Sequence, residues 1–385
     1  MHQNRLSGQF GALRSLDRTR NGHCGNWCCV TGCAHTPDAP TLTCATGYAT
    51  SGGIESHVVN IRDIATEAGV SVATASRALT GKGRVSAATV ERVRAVADRL
   101  QFQPNEIARS LSSGRSHSLG LIVPDITNPF FPELMAGAES AAKERGQTIL
   151  LAASPGAESA REDLRLLGAR GVDGFIVVGN PFDSAARLRE AAGTRPLVVV
   201  DRAESITGIS TVVTDHVEGA ALAVRHLLAL GHTRIAHISG PSGLDVTALR
   251  VCGYESEMRK AGLEPTVVEG GFTADCGADA VGRLLDGPEP PTAVTTANDI
   301  AAIGAMNAVF ARGMRVPEDL GVVGYDNIAL AALVRPALTT VAQEIGELGS
   351  RAVAELDRQM SGNPTARTVL LGTRLVERGT TKAAS

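Results

Sequence analysis

Carboxylate and amide side chains end several apolar runs in the C-terminal two-thirds of the chain. Each run is a short stretch rich in Val, Ile and Leu, which is typical of a buried strand. The carboxyl ends of parallel strands meet at one edge of a sheet, where open α/β folds bind their ligands. The sequence therefore predicts a binding cleft near Asp125, Asn128, Asp201, Asn298, Asp299 and Asp326.

Motifs of nucleophilic or nucleotide-dependent enzymes are missing from the chain. It contains no Gly-x-Ser-x-Gly, no Gly-x-Gly-x-x-Gly and no P-loop signature. The run Gly81-Lys82-Gly83-Arg84 is similar to a phosphate loop, but it follows a predicted helix and not a strand. We therefore expect a binding protein with no catalytic residues, no cofactor and no metal site. An enzyme built on the α/β body remains the alternative.

Charge is distributed unevenly along the 385 residues, whose net charge is −3. Residues 58–117 hold nine Lys and Arg against five Asp and Glu, whereas residues 118–385 are acidic. A short basic block on an acidic body suggests a module that binds a polyanion, although an ordinary basic helix face would give the same count. No apolar stretch is long enough for a membrane span, and the N-terminus lacks a secretory h-region.

Strands and helices must alternate to bring the strand-end residues together. Seven strand-like runs follow residue 118, with Ala-rich amphipathic stretches between them. This alternation is typical of parallel sheets built from right-handed crossovers. The runs are LGLIVPD, TILLAAS, GFIVVGN, LVVVDR, RIAHISG, AVTTAND and VVGYDN.

Three short helices with N-caps precede this body. Asn60, followed by Asp63, approximates a capping box for the first helix. Gly69 ends that helix at a tight turn, and Ser71 and Ser86 can cap the second and third helices. This pattern favours a helix-turn-helix that binds DNA over a generic helical hairpin.

The run VNIRDIATEAGVSVATASRALTGKGRVSAATVERVRAVADRLQFQPNEIARSLSSGRS closely resembles the N-terminus of the lactose-repressor (LacI) family. The resemblance extends from Val59 to about Glu377. It implies that Val72, Ala73 and Arg77 contact bases, with Arg77 able to pair bidentately with guanine. It further implies that Asn60, Ser71, Thr74 and Ser76 help to hold the DNA backbone.

A hinge helix is implied by the same resemblance. Pro104-Asn105 and the run Ala108 to Leu111 match the family's hinge motif. Leu111, with Ala108 and Asn105 nearby, would act as an apolar wedge in the minor groove at the operator centre. A buried linker leucine is the alternative interpretation. A pair of wedges needs two chains, so we expect a homodimer on a pseudo-palindromic, double-stranded operator.

The body resembles the family's two-lobe core, which has the fold of periplasmic sugar-binding proteins. The resemblance implies polar ligand contacts at Arg250, Asn298 and Asp326, a stacking aromatic at Phe272, and a first-lobe wall at Phe130 and Phe131. Asp125, Asn128, Arg202 and Gln343 are further candidates. Planar polar groups beside an aromatic ring suit a carbohydrate effector. Ala248 and Ile328 stand where some sugar-binding members have polar contacts, which leaves the effector's identity open.

The expected fold is therefore α/β, with an N-terminal all-α helix-turn-helix domain, a hinge helix, and a periplasmic-binding-protein-like core with parallel sheets. We place these domains at 58–103, 104–117 and 118–378, followed by a tail at 379–385. The first lobe is expected at about 118–214 and 342–365, and the second at about 215–341 and 366–378. We expect a cytoplasmic repressor that is released by its effector, although a corepressor scheme uses the same parts. A periplasmic-type binding protein would need no segment from Asn60 to Leu111.

Residues 1–57 have no helical or strand periodicity and hold five of the seven cysteines. Cys24, Cys28, Cys29, Cys33 and His35 are possible metal ligands by type, but their spacing is not that of a standard zinc finger. We interpret this segment as a disordered arm or as the product of a mis-assigned translation start.

Overall fold

A computed structural model describes residues 59–81, 83–102, 115–179, 182, 184–201, 208–363 and 365–384. Along these residues the chain forms eleven α-helices and twelve strands. The helices are α1 (Ile61–Glu67), α2 (Val72–Thr80), α3 (Ala87–Arg99), α4 (Phe130–Glu144), α5 (Ala157–Ala169), α6 (Ala185–Ala192), α7 (His216–Ala229), α8 (Asp245–Lys260), α9 (Ala274–Leu285), α10 (Asp299–Ala311) and α11 (Ile345–Met360).

The strands form two six-stranded sheets. They are β1 (Ser118–Val123), β2 (Thr148–Ala153), β3 (Gly174–Val178), β4 (Leu197–Val200), β5 (Ser210–Thr214), β6 (Ile235–Ser239), β7 (Thr266–Glu269), β8 (Ala293–Thr296), β9 (Gly321–Asp326), β10 (Thr339–Gln343), β11 (Thr368–Leu371) and β12 (Thr373–Val376). The first sheet has the order β11-β5-β4-β3-β1-β2, and the second has the order β12-β10-β9-β8-β6-β7. Every pair is parallel except β10 with β12.

The first three helices form their own small core. Ile64, Ala75 and Val93, one from each helix, are fully buried in it. Gly69 has φ +64°, a left-handed conformation that favours glycine at the turn between α1 and α2. The expected helix-turn-helix is therefore present.

The chain crosses between the two lobes three times. It enters the second lobe between β5 and α7, returns between β10 and α11, and crosses again between β11 and β12. The carboxyl ends of the parallel strands in both sheets consequently face the same cleft. Among the described residues, no helix is long and apolar enough to span a membrane.

The lobe boundaries differ from the sequence prediction at the C-terminus. Residues 366–378 were expected in the second lobe, but β11 pairs with β5 of the first sheet, so only β12 onward belongs to the second. The chain was also expected to return to the first lobe at residue 342. Strand β10 runs to Gln343 in the second sheet, so the return comes after that residue. A four-residue strand cannot be assigned to a sheet from its sequence alone, because its partner is distant in the chain.

The predicted tail is also part of the second lobe. The Thr380 side chain is buried, and its hydroxyl donates a 2.6 Å hydrogen bond to the carbonyl of Val322. Ala384 donates its N–H to the carbonyl of Leu230 at 2.8 Å. Residues 379–384, which were expected to form a separate tail, therefore pack against the second lobe.

Candidate functional site

The start of helix α2 presents the residues that were expected to contact bases. Val72, Ala73 and Arg77 are exposed, and Val72 is unusual for a large apolar side chain at 43% exposure. Ala75 and Ala78, on the opposite face, are buried against α1 and α3. The helix thus offers a short exposed face of two apolar side chains and one guanidinium.

The helix caps match the sequence prediction. The Asn60 side chain accepts a 2.8 Å hydrogen bond from the N–H of Arg62, and Asp63 accepts from the N–H of Asn60 at 2.7 Å. The Ser71 hydroxyl oxygen accepts from the N–H of Thr74 at 3.1 Å and also lies 2.9 Å from its hydroxyl. The exposed N-termini of both helices are therefore ordered by their own side chains.

Several predicted site residues lie outside the described residues. These are Asn105, Ala108 and Leu111 of the expected hinge, Arg202, and the cysteines before residue 58.

A cavity of about 350 Å³ lies between the two lobes. A volume of this size falls at the small end of ligand pockets. It brings together eight of the ten residues that the sequence predicts as effector contacts, together with Asp201. The predicted residues that line it are Asp125, Asn128, Phe130, Phe131, Asp201, Arg250, Phe272, Asn298 and Asp326.

Arg250 projects from helix α8 and is buried. One terminal nitrogen of its guanidinium donates to the carbonyl of Ala297, and the other lies 3.9 Å from the Asp326 carboxylate. The guanidinium also lies 4.0 Å from the centre of the Tyr325 ring, a cation–π arrangement. These contacts fix the plane of a group that has further N–H donors for a ligand.

Asp326 follows Tyr325 at the end of β9 and has φ +112°, an uncommon conformation for any residue except glycine. Burial raises the pKa of its carboxyl to about 7, although the Arg250 charge and a hydrogen bond from Gln343 oppose the rise. Strained backbone and a perturbed carboxyl together are typical of a functional site.

Gln343 lies behind Asp326 and does not line the cavity. Its amide nitrogen donates a 2.7 Å hydrogen bond to the Asp326 carboxylate. The structure therefore places this predicted contact residue as a support for Asp326.

The first lobe contributes a turn and two aromatic rings. Asp125 accepts a 2.7 Å hydrogen bond from the N–H of Thr127, and such backbone bonds lower the pKa of its carboxyl. Asn128 accepts from the N–H of Phe130 at 3.1 Å. The rings of Phe130 and Phe131 meet edge to face, with centres 5.2 Å apart. Phe130 is buried in the lobe's core and Phe131 is half-buried.

Asn298 and Asp299 lie together at the start of α10 but differ in role. Asn298 lines the cavity and caps the helix, accepting from the N–H of Ala301 at 2.9 Å. Asp299 lies beneath it, fully buried and bonded to the hydroxyl of Thr340 and the N–H of Ile328. Burial, with the nearby Asp326, raises the pKa of the Asp299 carboxyl. Asp299 is a structural residue and not a cavity residue.

Sequence reasoning missed four polar residues at the site. Ser154 and Asp245 line the cavity directly. His216 and Tyr325 lie behind Arg250 and contact it. Ser154 ends the second strand-like run and could have been found by the strand-end rule. His216 begins a helix and carries no such signal.

The chain is similar to known regulators over most of its length. Residues 60–105 match the family described as bacterial regulatory proteins, lacI family, and residues 224–381 match a periplasmic binding protein-like domain. The HTH-type transcriptional repressor CytR of Escherichia coli (strain K12) is 34% identical over 330 residues, which are 84% of this chain and 96% of that protein.

Two solved structures share the fold at comparable identity. The lac repressor dimer bound to operator and the anti-inducer ONPF has a TM-score of 0.78 at 32% identity and covers 84% of this chain and 99% of its own. A LacI family transcriptional regulator from Enterococcus faecium with bound ribose has a TM-score of 0.65 at 31% identity. The match covers 70% of this chain and 100% of that one.

The helix-turn-helix, the two-lobe core and the cavity between the lobes agree with these similarities, and the relatives are regulators and not enzymes. The chain therefore belongs to the LacI family of bacterial regulatory proteins and is a ligand-controlled, DNA-binding transcriptional regulator.

Proposed function

We propose that the chain is a cytoplasmic repressor whose affinity for its operator is controlled by a sugar or sugar derivative bound between the lobes. The observation that carries the proposal is the cavity in which Arg250 and Asp326 lie with the rings of Phe131 and Phe272. Sugar hydroxyls both donate and accept hydrogen bonds, which suits a guanidinium beside carboxylates. The apolar face of a sugar ring suits an aromatic side chain. The Enterococcus faecium regulator with bound ribose supports this ligand class.

Helix α2 enters the major groove in this proposal. Arg77 pairs with a guanine, while Val72 and Ala73 make apolar contacts such as one to a thymine methyl. Asn60, Ser71 and Thr74 lie at helix N-termini, where backbone N–H groups suit phosphate oxygens, and Ser76 offers a hydroxyl further along α2. The exposed face of α2 offers few polar contacts to bases. The spacing of the two operator half-sites must therefore supply part of the sequence specificity.

The chain acts as a homodimer on a pseudo-palindromic operator. The lac repressor dimer bound to operator supports this assembly. Leu111 is the wedge in the minor groove, with Asn105 and Ala108 in the same hinge segment. Two wedges at the operator centre bend the DNA, and this bend adds specificity.

Effector binding releases the operator by a shift in the population of lobe arrangements. A sugar that contacts both lobes favours one arrangement by its difference in affinity for the two. The change moves the first lobes of the dimer, the hinge loses its order, and the wedge leaves the groove.

Operator selection from a random duplex library, followed by titration with D-ribose, D-glucose and cellobiose, tests the proposal. We expect one selected palindromic site and a loss of binding with at least one sugar. Leu111→Ala should weaken operator binding at least tenfold while sugar affinity stays within about twofold. A wild-type protein that selects no site, or that no sugar affects, contradicts the proposal.

A further inference from the structure

His216 lies where the two lobes meet, directly behind the cavity. It is the first residue of α7, a helix that packs on strands β10 and β12 of the second sheet. Its Nε2 lies 2.7 Å from the carboxylate of Asp201, which follows β4 of the first sheet. The imidazole therefore connects one lobe to the other.

Arg250 approaches the opposite side of the same ring. Its Nε lies 3.4 Å from Nδ1 of His216. A guanidinium can only donate, so Nδ1 must accept, and the ring proton must be on Nε2. Nε2–H then donates to Asp201, which places His216 in the neutral form between a cation and an anion. Burial, together with the Arg250 charge, lowers the pKa of His216 and agrees with this form.

The surrounding backbone is shaped to hold this arrangement. Asp201 has φ +61°, in the left-handed region that is uncommon for residues other than glycine. The hydroxyl of Tyr325 lies 3.3 Å from Nδ1 of His216. A Cβ at position 219 would overlap that hydroxyl, so Gly219 leaves the space that Tyr325 occupies. The His216 side chain is only 1% exposed, so water does not compete for its hydrogen bonds.

We propose that His216 is a positioning residue that joins Arg250 to Asp201, so that the position of the ligand-binding guanidinium depends on the arrangement of the lobes. The inference rests on the proposed function, because it explains how occupancy of the cavity affects the first lobe. A sugar that draws Arg250 toward itself changes the hydrogen bond at Nδ1 and, through the rigid ring, the bond to Asp201. His216 need not touch the sugar.

Two substitutions separate the halves of this connection. His216→Asn places an amide oxygen near the position of Nδ1, so it can still accept from Arg250 but is too short for Asp201. His216→Gln places an amide nitrogen near the position of Nε2, so it can still donate to Asp201 but offers Arg250 nothing. His226→Gln is the matched control, since His226 lies in the same helix and bonds Thr381 instead.

The experiment measures sugar affinity and operator affinity for each full-length variant. The sugar used is whichever of D-ribose, D-glucose and cellobiose changes the operator affinity of the wild type most. We expect His216→Asn to bind that sugar with an affinity within about threefold of the wild type. The fold-change in operator affinity that the sugar causes should be at least tenfold smaller in this variant than in the wild type. We expect His216→Gln to lose about tenfold in sugar affinity. His226→Gln should match the wild type in both measurements.

Nitrogen-15 NMR of histidine-labelled wild type provides a readout that needs no sugar and no variant. We expect His216 to show a protonated Nε2 and an unprotonated Nδ1. The opposite tautomer overturns the proposal, as do equal losses of sugar affinity in both variants with an unchanged effect on the operator. A wild type that responds to no sugar is a different failure, because it refutes the proposed function before any variant is compared.

Discussion

The side-chain amide nitrogen of Asn298 donates a 3.1 Å hydrogen bond to the backbone carbonyl of Phe272. The oxygen of the same side chain caps helix α10 through the N–H of Ala301. Asn298 therefore ties the segment that carries the cavity's aromatic ring to the start of a helix in the second lobe. Under the proposed function, Asn298 therefore positions Phe272 in addition to lining the cavity.

Asn298→Asp should separate these two roles. The carboxylate keeps the cap but cannot donate to the carbonyl of Phe272, so we expect sugar affinity to fall about tenfold. Because position 298 is buried, the carboxylate should also lower the free energy of unfolding by about 1–3 kcal/mol. Asn298→Ala should lose both hydrogen bonds without burying a charge, with a cost of about 1 kcal/mol for the lost cap. Isothermal titration and thermal unfolding measure the two effects.

Ser184→Ala is the control for the lost cap, because Ser184 caps α6 in the first lobe without touching the cavity. It should lose about 1 kcal/mol of stability and keep its sugar affinity. Unchanged sugar binding in Asn298→Asp would show that Phe272 is held without this bond.

Gly240→Ala should disturb the cavity from behind. A Cβ at this position would lie 2.7 Å from the Phe272 ring and 2.5 Å from the Thr247 hydroxyl, so the ring must move. We expect a loss of about tenfold in sugar affinity with a destabilisation of about 1–3 kcal/mol, measured by titration and by denaturant unfolding.

Gly156→Ala is the matched control, since a Cβ there meets no atom within 4 Å. It should leave sugar affinity unchanged. A Gly240→Ala variant with wild-type affinity would mean that the Phe272 ring does not contact the ligand.

The sequence predicted the features that depend on local chemistry. The caps at Asn60, Ser71 and Ser86 form as expected, because a short polar side chain before a helix satisfies N–H groups within three residues. The strand-end rule likewise found Asp125, Asp201 and Asp326, because parallel strands bring their carboxyl ends together.

Features that depend on distant partners could not be predicted in this way. The position of β11 in the first sheet follows from pairing with β5, more than 150 residues earlier. His216 is important only because Asp201 and Arg250 approach it from two lobes. Gln343 looked like a ligand contact, and only the fold shows that it supports Asp326.

Arg77→Ala should weaken operator binding more than any other single change in α2. It removes the only long polar side chain on the exposed face, and one bidentate contact to guanine contributes about 1–3 kcal/mol. We expect a loss of tenfold to a hundredfold for the selected operator and a much smaller loss for random DNA, measured by fluorescence anisotropy at fixed salt.

Arg259→Ala is the control for charge, because Arg259 is an exposed arginine of helix α8 that pairs with Glu255. It should leave operator affinity within about twofold. Equal losses for operator and random DNA in Arg77→Ala would indicate that Arg77 contacts a phosphate and not a base.

Asp326→Asn should stabilise the fold at neutral pH while abolishing sugar binding. Burial raises the pKa of this carboxyl from 3.8 to about 7, so the folded protein holds a proton that the unfolded chain has released. The raised pKa of Asp326 therefore contributes fully to the free energy of unfolding below pH 3.8. This contribution is lost as the pH rises through about 7. The amide carries no charge, so we expect the variant's advantage in the free energy of unfolding to grow from about 1–2 kcal/mol at pH 5 to about 4 kcal/mol at pH 8.

Thermal unfolding across pH 5–8 measures this difference, with Asp319→Asn as the control. Asp319 is exposed and its pKa is lowered to about 2 by hydrogen bonds from Arg315, so its charge does not change in this range. The Asp319→Asn curve should run parallel to that of the wild type, whereas the Asp326→Asn curve should diverge from it between pH 5 and about 7 and then run parallel. Parallel curves for both variants would mean that Asp326 is ionised throughout the range. In that case its carboxylate, stabilised by Arg250 and Gln343, would meet the ligand as a charged acceptor at every pH tested.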